Sequence, residues 1–203
     1  MQEQLPRVLS FPFPLRFLFA SRPAIIGRVL GIVYRCIATH LVEQAGLTKK
    51  KAQTGAVTLV QRFGSALNLN IHFHMLFLDS VYVDQADGAG RFYRVSAPSG
   101  QELTQLAHTI AQRVGRFLER QGLLERDAEN SYLAGDAVDD DPMSQLLGHS
   151  ITYRIAVGSQ AGRKVFTLQT QPACEPEEQL TDTVGKVAGF NLHAGVAARA
   201  HER

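Results

Sequence analysis

The chain has 203 residues, 45% of them hydrophobic and 20% charged, with a formal net charge of +2 at pH 7. That length and apolar content suit one folded domain, or one and a half, and exclude disorder as the dominant state. No uninterrupted apolar run reaches the ~18–20 residues of a membrane-spanning helix, and the N-terminal MQEQLPRVLSFPFPLRF, broken by prolines and arginines, does not read as a secretory signal.

From Val8 to Phe19 the chain is aromatic and apolar, and the FPFP prolines predict an edge strand or an extended segment leading into one. Ser21 and Pro23 mark a helix start. Ile25, Ile26, Val29, Leu30, Val33, Ile37 and Leu41 follow at helical spacing, with a stop at Gly46. Lys49–Lys51 fall in the next loop. GAVTLVQRFG (55–64) predicts a strand, and NIHFHMLFLDSVYV (70–83) alternates with period two. That alternation puts His72, His74, Leu76 and Leu78 on one face and Ile71, Phe73, Met75 and Phe77 on the other. DQADGAG (84–90) reads as a turn and RFYRVSA (91–97) as another strand. Ser99 and Glu102 form a capping box for an amphipathic helix running to Gly122.

Residues 125–149 are acidic and predict a linker or surface excursion. ITYRIAVG (151–158) and GRKVFTLQT (162–170) predict a hairpin around Ser159–Gly162, followed by a second acidic loop, ACEPEEQLTD (173–182). The closing VGKVAGFNLHAGVAARAHER looks helical in its last stretch. The chain thus divides into 1–124, an acidic 125–149, and 150–203. Charge is uneven across these parts. Residues 1–78 carry nine Lys or Arg against Glu3 and Glu43, whereas 125–182 carry eleven Asp or Glu against four basic residues. A basic half points to an anionic partner such as a nucleic-acid backbone, although such charges also serve simply to solvate helix faces. Cys36 and Cys174 are too few for a disulfide framework or a cysteine-only zinc site, and a soluble protein of a reducing compartment is expected.

The sharpest chemical feature is His72–Phe73–His74. Two imidazoles at i and i+2 on one strand share a face, about 6–7 Å apart, and both can reach one metal ion. Paired strand histidines also occur that only hydrogen-bond, so the spacing leaves both readings open.

The surrounding segments narrow the choice. AVTLVQRFGSALNLNIHFHMLFLDSVY, VLSFPFPLRFLFASRP and VLGIVYRCIATHLVEQAGL, followed by LLGHSITYRIAVG, AGRKVFTLQT and NLHAGVAARAHER, resemble the bacterial rolling-circle insertion-sequence transposases of the His-hydrophobic-His (HUH), two-tyrosine superfamily. The resemblance implies an α+β fold, with a ferredoxin-like central antiparallel sheet, flanking helices and the HUH motif on a central strand. It implies that His72 and His74 hold Mg²⁺ or Mn²⁺. It further implies single-stranded DNA at transposon ends as the partner, nicked and religated through a phosphotyrosine intermediate. The basic N-terminal half, with Lys49, Lys50, Lys51 and Arg62, is then the expected DNA-contacting surface, and the setting is the bacterial cytoplasm, at the nucleoid when DNA is bound, with no membrane partner. For a third ligand, Gln61 and His193 are candidates, against a solvated strand residue and an ordinary helix histidine.

The nucleophile departs from the family pattern. Family members place two tyrosines in Tyr-x-x-x-Tyr on a helix, and none of Tyr34, Tyr82, Tyr93, Tyr132 or Tyr153 has a tyrosine four residues on. The family's tyrosine helix is expected beyond Arg203, and no CxxC precedes the core, so the chain reads as a transposase fragment trimmed at both ends. Two alternatives stand beside it. One is an inactive remnant that at most binds DNA; the other is an unrelated His-X-His metal hydrolase.

Overall fold

The structure, a computed structural model, describes residues 4–64, 68–85, 90–126, 131–134, 142–152, 154–155, 158–163 and 183–195. Five strands form one antiparallel sheet: β1 (Gln4–Ser10), β2 (Ala56–Phe63), β3 (Leu69–Leu78), β8 (Val184–Val187) and β9 (Phe190–Ala194), in the order β2-β3-β1-β9-β8. Helices α1 (Phe13–Ser21) and α2 (Ala24–Gln44) connect β1 to β2, and α3 (Gly100–Arg120) precedes the last pair. The spatial order β2-β3-β1-β9 is that of a β-α-β-β-α-β ferredoxin-like sheet, with β8 added outside it. The chain is therefore α+β with flanking helices, as expected.

Alternation on β3 decides which face the helices cover. Ile71, Phe73, Met75 and Phe77 are buried, together with Leu9 of β1 and Leu192 of β9. Helices α2 and α3 lie antiparallel over this face. Their contacts run from Arg28–Gln121 through Cys36–Arg113 to Gln44–Glu102. The buried stripe of α3 (Leu103, Leu106, Ala107, Ile110, Val114, Phe117, Leu118) follows its helical period. Its start has the capping box read from Ser99 and Glu102, and Gly122 at φ 66 ends it. At Gly185 of β8 the α3 backbone comes so close that an added Cβ would lie 2.3 Å from the carbonyl carbon of Leu103. Only glycine fits there. The β8–β9 turn uses Ala188 (φ 50) and Gly189 (φ 79), the left-handed pair that a two-residue hairpin requires.

Several expectations are corrected. The Val8–Phe19 segment is not an edge strand. β1 is the middle strand of the sheet, and Phe13–Ser21 is helical, with Pro12 as N-cap and Pro14 in the first turn, where a missing N–H costs nothing. Pro6 is tolerated in β1 because its carbonyl accepts from Gly195 at 2.8 Å and its absent donor points the same way, at the end of the β1–β9 ladder. The long strand over 70–83 is two strands. It breaks at the buried Asp79, and Ser80–Asp84 (β4) pairs instead with Gly90–Arg94 (β5) in a separate hairpin. Arg94 clamps that break through an ion pair with Asp79 at 3.2 Å.

Within the acidic stretch after α3, Leu124–Arg126 (β6) and Ser131–Leu133 (β7) pair, and Pro142–Ile151 forms α4, which packs on α1 and β3. Ile151 therefore closes a helix and does not open a strand. Ile155 still exchanges backbone bonds with Gly162 and Arg163, as a turn around Ser159–Gly162 demands. The remainder of that hairpin, the loop 173–182 and the stretch 196–203 lie outside the described residues. Finally, α2 has the length of a membrane span and a mean hydropathy of 1.5 over its most apolar window, although Arg28 and Arg35 interrupt its apolar run. Its stripe Ile26, Val29, Val33, Cys36, Ile37 and Leu41 is buried in the core.

Candidate functional site

The sheet face opposite α2 and α3 is built by residues of the other parity, and the strand registers order them into rows. One row runs Gln61, His72, Ser10, Asn191, Lys186 from β2 to β8. The next runs Leu59, His74, Val8, His193, Val184, and a third holds Val57, Leu76 and Pro6. Leu59 (67% exposed), Val57 and Leu76 lie open to solvent. An aliphatic apron therefore borders the two histidines.

His72 is 8% exposed and His74 is half-buried. Their ring centroids are 4.7 Å apart at 60°, close enough for two ring nitrogens to converge on one cation. The Nδ1 of His72 lies 2.6 Å from the carbonyl oxygen of Asn70. A carbonyl only accepts, so this contact assigns the proton to Nδ1 and leaves the Nε2 lone pair available. Burial, and then the neighbouring His72, hold the pKa of His74 below its ordinary value, which keeps that imidazole unprotonated at neutral pH, with a ring-nitrogen lone pair free. Among the described residues, no third His, Cys, Asp or Glu completes a metal cluster with the pair. His193 is exposed on β9, not on a helix, and sits two strands from His74, roughly 10 Å between backbones. Gln61 is directly opposite His72. Its Nε2 donates to the Phe63 carbonyl at 2.9 Å, which fixes the side-chain amide.

The structure does not gather the expected basic residues into one patch. Arg62 is exposed beside Gln61, where the β2–β3 register shifts. Lys49, Lys50 and Lys51 are exposed in the turn after α2, near the opposite end of β2. Ala56 at that end is five residues from Gln61, or about 17 Å along the strand.

Three tyrosines have described side chains and none joins the histidines. Tyr34 stacks on Phe77 on the covered face and donates to the Thr54 carbonyl at 2.8 Å. Tyr82 donates to Gln53 at 3.0 Å, and Tyr93 lies under the Arg91 guanidinium in the β4–β5 hairpin. The side chains of Tyr132 and Tyr153 lie outside those described.

Asn70 was missed by sequence reasoning. The signal was present, since a residue two positions before His72 on a strand turns its carbonyl to the same edge. A family model described as "Putative transposase" matches residues 55–202, from the entry to β2 past β9, and so includes Gln61, Arg62, His72 and His74. No curated protein and no solved structure matches the chain.

Proposed function

This chain belongs to the family described as "Putative transposase", and on that premise we propose that it serves DNA transposition of the HUH, rolling-circle type. In this reading its open sheet face holds single-stranded DNA at transposon ends together with Mg²⁺ or Mn²⁺. The observation that carries the proposal is the His72–His74 pair, two rings 4.7 Å apart inside the matched region, with one of them oriented by a backbone carbonyl. The donor set fits a divalent cation. His72 offers Nε2, His74 stays neutral through burial, and Gln61 has an amide carbonyl oxygen beside them.

When bound, such a cation supplies Lewis-acid stabilisation of the charge that develops on a scissile phosphate. The remaining work belongs to the chain. Asn70 holds the His72 ring, so the ligand does not rotate away when DNA arrives. Val57, Leu59 and Leu76 give sequence-tolerant apolar contact to bases and exclude water beside the phosphate. Arg62 neutralises a neighbouring phosphate. The nucleophile is a tyrosine other than Tyr34, Tyr82 and Tyr93. Its phenolic oxygen forms a bond to phosphorus, the bond from phosphorus to the 3′ oxygen breaks, and the tyrosine proton is balanced by protonation of the leaving 3′ oxygen.

Two measurements test the reading. Mn²⁺ titration of the chain and of His72→Ala/His74→Ala should show binding only in the former; equal affinity in both removes the ligand assignment. Incubation with single-stranded DNA and Mn²⁺, followed by a denaturing gel, separates a nicking enzyme from a DNA-binding module. A covalent adduct assigns the nucleophile to this chain, and its absence alongside intact DNA binding leaves binding as the role of these residues.

A further inference from the structure

The outer surfaces of α2 and α3, on the far side of the sheet from His72 and His74, enclose a groove of about 520 Å³. It is lined by Arg35, Arg113, Arg116 and Arg120, with Ile32 and one carboxylate, Glu119. Arg28 extends the basic strip, its guanidinium 5.0 Å over the Phe117 ring and bonded to Gln121 at 3.2 Å. We propose that this groove is a second DNA-contacting surface, which grips the phosphate backbone of DNA lying across the helical side of the domain.

Three observations argue for a polyanion here. Arg113, Arg116 and Arg120 are spaced i, i+3, i+7 and so share one face of α3, where like charges three and four residues apart repel and destabilise the helix. Glu119 is one carboxylate against the four arginines of the lining. Secondly, the groups are partly preorganised: Arg113 Nη1 reaches Cys36 Sγ at 3.7 Å and Arg120 Nε donates to the Arg116 carbonyl at 3.1 Å. Held guanidiniums lose less freedom on binding and match phosphate oxygens two at a time. Thirdly, the three residues span about 10 Å of helix. One strand of a duplex presents a phosphate every ~3.4 Å along its axis, so the row meets roughly three phosphates.

The assignment goes beyond the metal face. With that face on one side and this groove on the other, the domain can hold two DNA segments at once. It does not rest on His72 or His74, and the two readings fail separately.

The test uses the full chain and the exposed residues Arg35 and Arg116, whose replacement removes no core contact. Binding of a labelled 20-base-pair duplex and a 20-nucleotide single strand is followed by anisotropy from 50 to 200 mM salt. Arg35→Ala/Arg116→Ala is expected to weaken binding about tenfold or more at 100 mM salt and to lower the slope of log K against log salt by about two. Arg35→Lys/Arg116→Lys should keep the slope and recover part of the affinity. His72→Ala/His74→Ala should lose Mn²⁺ and keep the groove-dependent slope. Whichever probe shows the loss identifies the form of DNA held. An unchanged affinity and slope in the alanine variant overturns the proposal. So does a changed oligomeric state with unchanged DNA binding, which would make the groove a contact for an acidic protein surface.

Discussion

The two faces of the central sheet come from the same strands and share almost no chemistry. On the covered face, Phe73 is 0% exposed and packs edge-on against Phe11 at 5.0 Å, within a core that runs through α2 and α3. On the open face, its neighbours at positions 72 and 74 are histidines bordered by exposed aliphatics. Stability is therefore concentrated in residues of one parity and the candidate chemistry in the other, and substitutions one position apart should behave differently. Phe73→Ala should cost about 3–5 kcal/mol in chemical unfolding, through lost burial and the cavity left behind. Leu59→Ala, across from His74, should stay within about 0.5 kcal/mol. Similar costs for the two would break the comparison.

One residue violates it. Arg7 of β1 pairs with Met75 and Ala194, so it points into the covered face, where it is 0% exposed and, among the described residues, none of its guanidinium nitrogens has a hydrogen-bond partner. Burial pulls its pKa down from the ordinary arginine value to about 10. The group is still charged at neutral pH, and an unpaired buried charge is destabilising. Arg7→Met keeps the volume and removes the charge. We expect it to stabilise the fold by about 1–4 kcal/mol; a loss of stability would mean that the guanidinium has a partner in the folded protein.

The next prediction concerns how α3 meets the covered face. Gly185→Ala puts a methyl group into the Leu103 carbonyl and must lift the helix or bend β8, at about 1–3 kcal/mol. Gly27→Ala is the matched control. It lies exposed in α2 with nothing within 4 Å, and should add up to about 1 kcal/mol through helix propensity. Equal effects at the two glycines would show that the helix–sheet approach is looser than drawn.

What the sequence disclosed follows the same division. Strict alternation over 71–77 made the faces of β3 readable, and the capping box made the start of α3 readable, because both are local signals. The break at Asp79 was hidden, since Ser80–Asp84 continues the alternation and only the ion pair to Arg94 and the pairing with β5 reveal a second sheet. The place of β1 in the middle was hidden for a different reason. The FPFP prolines argued for an edge, but Pro12 and Pro14 lie beyond β1, at the N-cap and in the first turn of α1, and so say nothing of its ladder. His72 and His74 were legible as a pair. That Gln61 is opposite His72 while His193 stands two strands off depends on long-range register, which no local pattern encodes. The arginine groove was concealed by counting charge along the chain: residues 1–78 looked basic as a block, whereas the strip assembles from Arg28 and Arg35 on α2 with Arg113, Arg116 and Arg120 on α3.

The smallest effect expected on the covered side is the most diagnostic of its buried charge. His40 on α2 has its pKa held below the ordinary value, first by burial and then by the Arg7 guanidinium, while Glu102 and Glu43 pull the other way. With the folded pKa depressed, the unfolded chain binds a proton more readily. The native state therefore has its full stability above the unfolded value near 6.5 and loses some as pH falls through that value toward the folded pKa. His40→Gln should flatten this part of the acid limb of the stability profile. In Arg7→Met, the ring-proton titration of His40 should move upward, because one of the two causes of its depression is gone. An unmoved titration in that variant would mean that burial alone sets the His40 pKa, and that the charge at Arg7 does not reach the helix packed above it.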